Sequence, residues 1–232
     1  MLKLIAAVIM LIDHIGFVIF PEHIVFRLIG RLAMPIFAYS IALGFTKTRS
    51  YKKYLLRMGI FAIISQIPFW IMDYAAQPHN FEWMHFNIGF TFFGALIALY
   101  LYKKVKDNPS ESYILQIIGI IMIIAIVSLL NCDYGGYGIL VVIVFYEYLI
   151  VRKDIKKTTT ALLLVTLSLP IVYLMNSLQG VIDLVVTQSI AVGALPLIRR
   201  YDKVHFKKLK YFFYVFYPGH MLLLALVKIF ML

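Results

Sequence analysis

Two histidines inside long apolar stretches are the residues of this sequence best suited to chemistry. His14 follows Asp13 near the start of the chain, and His220 follows Tyr217-Pro218-Gly219 near its end. Imidazole can act as a general base or as a nucleophile that carries an acyl group, and both roles require its neutral form. Because an ionisable residue inside an apolar helix is costly to bury, each one is a candidate for a functional site.

The two histidines are expected at similar depths. At about 1.5 Å per helical residue, His14 lies roughly 18 Å from the beginning of its helix, and His220 lies roughly 14 Å from the beginning of its own. Adjacent helical residues point in different directions, so His14 needs a partner from another helix. We therefore predict that His14 and His220 meet in one pocket, where His220 orients His14 or shares its proton. Separate structural hydrogen bonds between helices remain the alternative.

Two arginines stand near the beginning of the second apolar stretch. Arg27 and Arg31 are expected on the extracytoplasmic side, where positive charge is usually scarce. Their presence there suggests an anionic or carbonyl-bearing ligand, or a pairing with Asp13. For Arg27, a side chain that reaches to the surface is the alternative. Pro35 cannot donate a hydrogen bond to the carbonyl of Arg31, so we expect the helix to kink at this proline.

Other polar residues provide candidates for substrate contacts. Asn87 and Thr91 lie four residues apart and could line a cavity or join two helices by hydrogen bonds. The spacing of His79 and His85 fits no ordinary zinc site, so we expect no metal. The full set of substrate-binding candidates is Arg27, Asn87, Asp133, Asp183 and Tyr217.

A basic stretch, 199–210, favours anchoring to the cytoplasmic face and contact with anionic lipid. Its alternative function is binding of a phosphorylated donor, with Arg199 and Arg200 as the candidate residues.

The composition identifies the surroundings in which these residues must work. Of 232 residues, 62% are hydrophobic and 14% are charged, and the mean hydropathy is +0.90. This excess of apolar residues excludes an ordinary soluble domain and predicts a lipid bilayer as the solvent. We predict an all-α, polytopic transmembrane bundle that forms one domain, 1–232, with about nine spans. The predicted spans are 2–20, 26–46, 55–72, 86–102, 113–130, 137–151, 158–176, 181–198 and 211–232.

The distribution of positive charge predicts the orientation of these spans. Of the 22 lysines and arginines, 18 lie in the connections 47–57, 103–106, 152–157 and 199–210. Because basic residues collect in cytoplasmic loops, the amino terminus is predicted inside the cell and the carboxyl terminus outside. The net charge of +11 is thereby explained without a nucleic-acid partner. A single cysteine, Cys132, excludes an intramolecular disulfide.

The same residues give the sequence a resemblance to the TraX family. The resemblance covers essentially the whole chain, although 201–206 departs from the pattern we expect there. Its blocks are 3–16 with Met-Leu-Ile-Asp-His-Ile-Gly at 10–16, 27–37 with Arg-Leu-Ile-Gly-Arg-Leu-Ala-Met-Pro-Ile-Phe, 48–57, 65–69, and 211–224 with Tyr-Pro-Gly-His at 217–220.

This resemblance implies a multi-pass protein of the bacterial inner membrane that acetylates pilin at its amino terminus from acetyl-CoA. The family is also distantly similar to membrane acyltransferases that use an embedded histidine. Carried over, those roles fall on His14 and on Arg31, which would stabilise the developing oxyanion or orient the thioester carbonyl.

The sequence therefore predicts a membrane acyltransferase that takes acetyl-CoA from the cytoplasm and modifies an amine or hydroxyl of an extracytoplasmic acceptor. Its catalytic candidates are Asp13, His14, Arg31 and His220. A small transporter is one alternative, since proline-broken helices with polar groups also form transport sites. A polar bias toward the outer side argues against transport. A non-catalytic assembly factor for a surface structure is the other alternative.

Overall fold

The chain folds into helices throughout the part that the structure, a computed structural model, describes. That part is 1–107, 113–150, 154–173, 189–201 and 212–231, with the backbone alone for 168–173. The helices are α1 (Leu2–Val18), α2 (Ile24–Gly30), α3 (Ala33–Lys47), α4 (Tyr51–Ala76), α5 (Ile88–Asp107), α6 (Tyr113–Leu129), α7 (Gly135–Ile150), α8 (Ile155–Tyr173), α9 (Ala194–Tyr201) and α10 (Phe212–Met231), with 3-10 turns at Pro78–Asn80 and Ile190–Gly193.

The predicted all-helical class is confirmed for the described residues. Four helical stretches are long and apolar enough to cross a membrane, namely Ile24–Lys47, Tyr51–Ala76, Ile88–Asp107 and Phe212–Met231. Tyr113–Leu129 and Gly135–Ile150 are shorter apolar helices. The count of nine spans and the orientation of the termini stay predictions, and 181–188 of the predicted eighth span lies outside the described residues.

The second predicted span is broken earlier than expected. Helix α2 closes with the amides of Arg31 and Leu32 bonded to the carbonyls of Arg27 and Ile29, and α3 begins at Ala33. The kink predicted at Pro35 is therefore wrong in position. Pro35 lies in the first turn of α3, where its missing N–H removes no intrahelical hydrogen bond.

Helix α1 lies at the centre of the arrangement that forms the site. It packs against α2 and α3 on one side and against α10 on another. Two glycines make its contact with α2 close: a Cβ on Gly16 would overlap Phe26, and a Cβ on Gly30 would overlap the carboxylate of Asp13. This close contact between the two helices holds Arg27 of α2 against Asp13 of α1.

Two loops are joined at the end of the bundle farthest from the basic connections. The Phe86 amide donates to the carbonyl of Asn131, and the Asp133 amide donates to the carbonyl of Phe86. The carbonyl of His85 accepts from Gln66 Nε2 at 2.9 Å and from Trp70 Nε1 at 3.1 Å. These bonds fix the positions of His85 and Asp133 relative to α4.

Candidate functional site

His14 and His220 meet, as the sequence predicts. Nδ1 of His14 lies 2.7 Å from Nε2 of His220. The ring centroids are 4.9 Å apart with only 7° between the ring planes, which fits an in-plane N–H···N bond between two imidazoles. The rings come from α1 and α10, so the first and last described helices are joined at the site.

The hydrogen bonds determine which nitrogens carry protons. Nδ1 of His220 lies 2.8 Å from the carbonyl oxygen of Phe216. A carbonyl oxygen only accepts, so Nδ1 of His220 carries a hydrogen and, in the neutral ring, Nε2 is the acceptor. His14 must then donate from Nδ1. Its Nε2 is therefore left with a lone pair, which is the atom that a base or a nucleophile needs.

Asp13, next to His14 in the chain, pairs with a residue of α2 and not of α10. Its Oδ2 accepts from Nη1 of Arg27 at 2.8 Å. The predicted pairing of Asp13 with an arginine is thus confirmed for Arg27. Because Gly30 has no side chain, the carboxylate lies directly against the α2 backbone.

Arg31 is held by a residue of the loop after α6. Its Nη1 donates to the hydroxyl of Tyr134 at 3.3 Å. Tyr134 has a positive φ of 64°, a conformation that is uncommon for a bulky residue and often marks functional sites. Within the described part of the chain, Arg31 Nε and Asp13 Oδ1 are buried without a hydrogen-bond partner. A buried donor and a buried acceptor of this kind call for a ligand group or water.

Asp13, His14, Arg27, Arg31 and Tyr134 line one cavity of about 270 Å³, whereas His220 contacts His14 without lining it. At one end, which we call the Lys3 end, it is lined by Lys3, Tyr54 and Tyr214, and at the other, the Asp133 end, by Asp73, His85 and Asp133. Between the two ends lie Asp13, His14, Arg27, Arg31 and Tyr217. Lys3, Tyr54 and Tyr214 lie in the first turns of α1, α4 and α10, so the cavity follows the length of the bundle past the histidines.

Besides Asp133, which the sequence interpretation selected, this end of the cavity carries two titratable residues that it did not select. Asp73, buried at the end of α4, lies 3.3 Å from Nδ1 of His85. This hydrogen bond raises the pKa of His85 above its ordinary value, and burial works against it. Burial raises the pKa of Asp133, while the nearby positive charges of His85 and the arginines lower it. Asp73 and His85 are therefore a hydrogen-bonded pair in the cavity wall and not solvated loop residues.

Asn87 is not part of the cavity wall. It is fully buried, and its side chain donates to the Ala62 carbonyl and to Gln66 Oε1 while its oxygen accepts from the Gly89 amide. Thr91 likewise donates to the Asp133 carbonyl at 2.6 Å. These bonds join helices and loops, so the structure supports the second of the two alternatives and Asn87 does not line a substrate site.

The donor-binding candidates lie apart from the histidines. Arg199 and Arg200, at the end of α9, border a separate groove with Thr159 of α8. Besides Arg27 and Arg31, Lys3 lines the cavity that contains His14, and the sequence interpretation did not select it. Asp183 lies outside the described residues.

Two further residues of the site were missed by sequence reasoning. Tyr134 gave one signal, its place in the turn-forming run Asn131-Cys-Asp-Tyr-Gly-Gly. Lys3 gave another, since its position eleven residues before His14 puts it on the same helix about 16 Å away.

Comparison with known proteins gives the following relationships. The family model described as "TraX protein" matches residues 1–228. A probable fimbrial assembly protein, FimC of serogroup H1, from Dichelobacter nodosus is 29% identical over 247 aligned positions that cover 99% of this chain and 95% of that protein. An uncharacterised protein of Rickettsia prowazekii (strain Madrid E) is 40% identical over 67 residues, which is 29% of this chain and 25% of that protein. No solved structure matches the chain significantly.

Proposed function

Because this chain belongs to the TraX family, we propose that it is an integral-membrane acyltransferase that moves an acetyl group from acetyl-CoA to an amine or hydroxyl of an acceptor across the membrane. A pilin-like protein is the acceptor that the family and the fimbrial name of its D. nodosus relative favour. The observation that carries the proposal is a chain of two hydrogen bonds. His14 Nδ1 donates to His220 Nε2, and His220 Nδ1 donates to the Phe216 carbonyl. It leaves the Nε2 lone pair of His14 available in a ring that borders a cavity.

The proposed chemistry uses residues that line this cavity. The acceptor nitrogen or oxygen attacks the thioester carbonyl carbon while Nε2 of His14 removes its proton. The C–S bond then breaks, and the proton passes from His14 to the leaving thiolate, which gives free CoA and the acetylated acceptor. Arg31, with an unpartnered Nε, is suited to donate to the carbonyl oxygen as negative charge develops there.

The extent of the cavity supports entry of donor and acceptor from opposite ends. Lys3 at one end offers a positive charge to the phosphates of CoA. A pantetheine arm has about thirteen bonds between its sulfur and the first phosphorus, and spans roughly 15 Å when extended. That length is comparable with the rise of about 16 Å from Lys3 to His14. The groove beside Arg199 and Arg200 is then available for other anions, such as lipid headgroups.

Radiolabelled acetyl-CoA tests the proposal directly. Purified protein in nanodiscs is incubated with the label and a synthetic peptide that has a free amino terminus. We expect labelled peptide and free CoA in equal amounts from the wild type, and at least about 10²-fold slower formation of both by His14→Ala. Equal turnover of wild type and His14→Ala would end the catalytic assignment.

A small transporter is a second candidate, and the length of the cavity favours it. The cavity wall includes Lys3 and Tyr54 at the end opposite Asp133. The outer bias of polar residues therefore no longer argues against transport. The two functions differ in their products: an acyltransferase forms a covalent acetyl product, whereas a transporter moves its substrate unchanged into proteoliposomes.

The third interpretation, a non-catalytic assembly factor, also makes a distinct prediction. If His14 only joins helices, His14→Gln should fold and keep its function, because a glutamine amide can still donate a hydrogen bond to His220. An acyltransferase loses turnover with this substitution.

A further inference from the structure

A group of four apolar side chains, three of them aromatic, lies at the end of α4 and on the loop that follows it, and all but the half-buried Phe81 are exposed. We call Tyr74, Phe81, Trp83 and Met84 the aromatic surface. The Tyr74 and Phe81 rings lie 5.6 Å apart, and the Phe81 and Trp83 rings lie 4.9 Å apart. Trp83 also packs edge-on against Trp70 at 5.6 Å, and Trp70 is itself bonded to the carbonyl of His85. These contacts hold the rings in a fixed arrangement beside the loop that carries His85.

The exposure of this surface requires an explanation. Trp83 is 71% exposed, Met84 60% and Tyr74 57%. Contiguous apolar side chains of this size on a protein surface mark contact with a partner or with a membrane. The loop has no lysine or arginine between 77 and 87, so nothing in it resembles an electrostatic docking site for an anion.

The aromatic surface continues a lipid-facing stripe of α4. Exposed apolar residues recur every three or four positions along this helix, at Leu56, Ile60, Ile63, Ile64, Ile67, Ile71 and Tyr74. This spacing places them on one face. The stripe changes from aliphatic to aromatic at Tyr74, where α4 is about to end.

The length of α4 fixes the level at which this change occurs. Its 26 residues extend about 39 Å, which exceeds the hydrocarbon thickness of roughly 30 Å. The basic side chains of Lys52, Lys53 and Arg57 keep the beginning of the helix outside the hydrocarbon. The rise from Arg57 to Ala76 is about 29 Å, so the last turn lies where the acyl chains meet the lipid headgroups. Tryptophan and tyrosine are the residues that concentrate at this level, because their rings are apolar and their N–H and O–H groups are polar.

We propose that the aromatic surface lies in the headgroup layer of the bilayer and keeps the loop 77–87 at the membrane surface. The same loop places His85 in the wall of the cavity. The Asp133 end then opens at the level of the headgroups and not in bulk water. If the proposed transferase function holds, its acceptor reaches the histidines from the membrane surface. The placement of the loop itself does not depend on that function.

Tryptophan fluorescence tests this placement without any assay of activity. The chain contains two tryptophans, so Trp70→Phe leaves Trp83 as the single reporter. The protein is reconstituted in phosphatidylcholine vesicles whose lipids carry a nitroxide at the headgroup, at acyl carbon 5 or at acyl carbon 12. The three labels report increasing depths in the bilayer. We expect the headgroup and carbon-5 labels to quench Trp83 at least twofold more than the carbon-12 label or aqueous iodide.

Two other outcomes overturn the proposal. Strong quenching by iodide with little quenching by any labelled lipid places the loop in water, and strongest quenching by carbon 12 places it in the hydrocarbon. Trp83→Phe is the matched variant, because it leaves Trp70, whose ring packs against Trp83 and whose N–H is already bonded. If Trp70→Phe fails to fold, subtraction of the Trp83→Phe signal from the wild-type signal gives the same measurement. If Trp83 lies at the headgroups but the wild-type protein shows no transferase activity, only the proposed function is contradicted.

Discussion

Removal of His220 should reduce turnover by an amount that its hydrogen bond with His14 predicts. The 2.7 Å bond from His14 Nδ1 to His220 Nε2 is a neutral one in the resting site. When His14 takes a proton from the acceptor, the same bond becomes charge-assisted. His220→Ala removes the acceptor of this bond and leaves a buried N–H of the developing imidazolium without a partner.

The size of the effect follows from the strength of that bond. Hydrogen bonds to charged groups contribute about 1.5–3 kcal/mol, whereas neutral ones contribute about 0.5–1.5 kcal/mol. Because the neutral bond is already made in the resting site, only the difference of about 1–1.5 kcal/mol affects kcat. At about 1.36 kcal/mol per factor of ten, His220→Ala should lower kcat roughly 5- to 13-fold. His14→Ala removes the base itself and should lower kcat about 10²- to 10⁴-fold. His220→Gln retains an acceptor oxygen and should lose less than His220→Ala.

A double-mutant cycle separates this mechanism from two independent roles. With labelled acetyl-CoA and the peptide acceptor, the double variant His14→Ala/His220→Ala should be no slower than His14→Ala, because His220 acts only through His14. Losses that multiply would refute this reasoning, as would full activity of His220→Ala. His79→Ala, an exposed histidine of the loop after α4, is the matched control. Gel filtration of each variant shows that it is folded.

Three further predictions concern the surroundings of the site, and thermal unfolding in detergent measures all of them. Gly30→Ala puts a methyl group into a neighbouring carboxylate and should cost about 1–3 kcal/mol. Gly219→Ala is the control, because its Cβ would meet nothing within 4 Å, and it should be neutral or stabilising. A loss of stability equal to that of Gly30→Ala would contradict the packing argument. Asn87→Ala leaves several buried groups without partners and should cost at least about 1–3 kcal/mol, whereas the exposed Asn80→Ala should change little. The hydrogen bond with Asp73 raises the pKa of His85 above its ordinary value of 6.5. The stabilisation by this pair is therefore complete below pH 6.5 and is lost as pH rises through the folded-state pKa. As the pH rises from 6.5 through that pKa, the unfolding midpoint of the wild type should therefore fall relative to that of His85→Gln. Parallel plots of midpoint against pH for the two proteins would show that the pair contributes nothing.

The meeting of His14 and His220 could be predicted from the sequence because both histidines lie on helices. A helix has a fixed rise per residue, so a residue number converts directly into a depth. The pairing of Asp13 with an arginine of the next stretch came from the charge distribution, as one alternative to a ligand for the arginines. Depth in an apolar helix is thus the quantity that a membrane sequence reveals best.

Loop residues and hydrogen-bond partners could not be predicted in this way. Asp73 and His85 were not selected as site residues, because the sequence does not show that the loop 77–87 folds back onto α4 through Gln66 and Trp70. Asn87 looked like a residue for a ligand, because the sequence does not show how many of its hydrogen bonds the protein itself supplies. Both errors concern tertiary hydrogen bonds, for which periodicity carries no information.

The position of the cavity follows from the fact that Asp13 and His14 are neighbours. Adjacent residues of a helix point about 100° apart, so the two side chains must find partners on different sides of α1. Asp13 finds Arg27 of α2, and His14 finds His220 of α10. Helix α1 is therefore held from two directions at one level. His14 and Arg31, whose Nε has no hydrogen-bond partner among the described residues, both line the cavity at this part of α1.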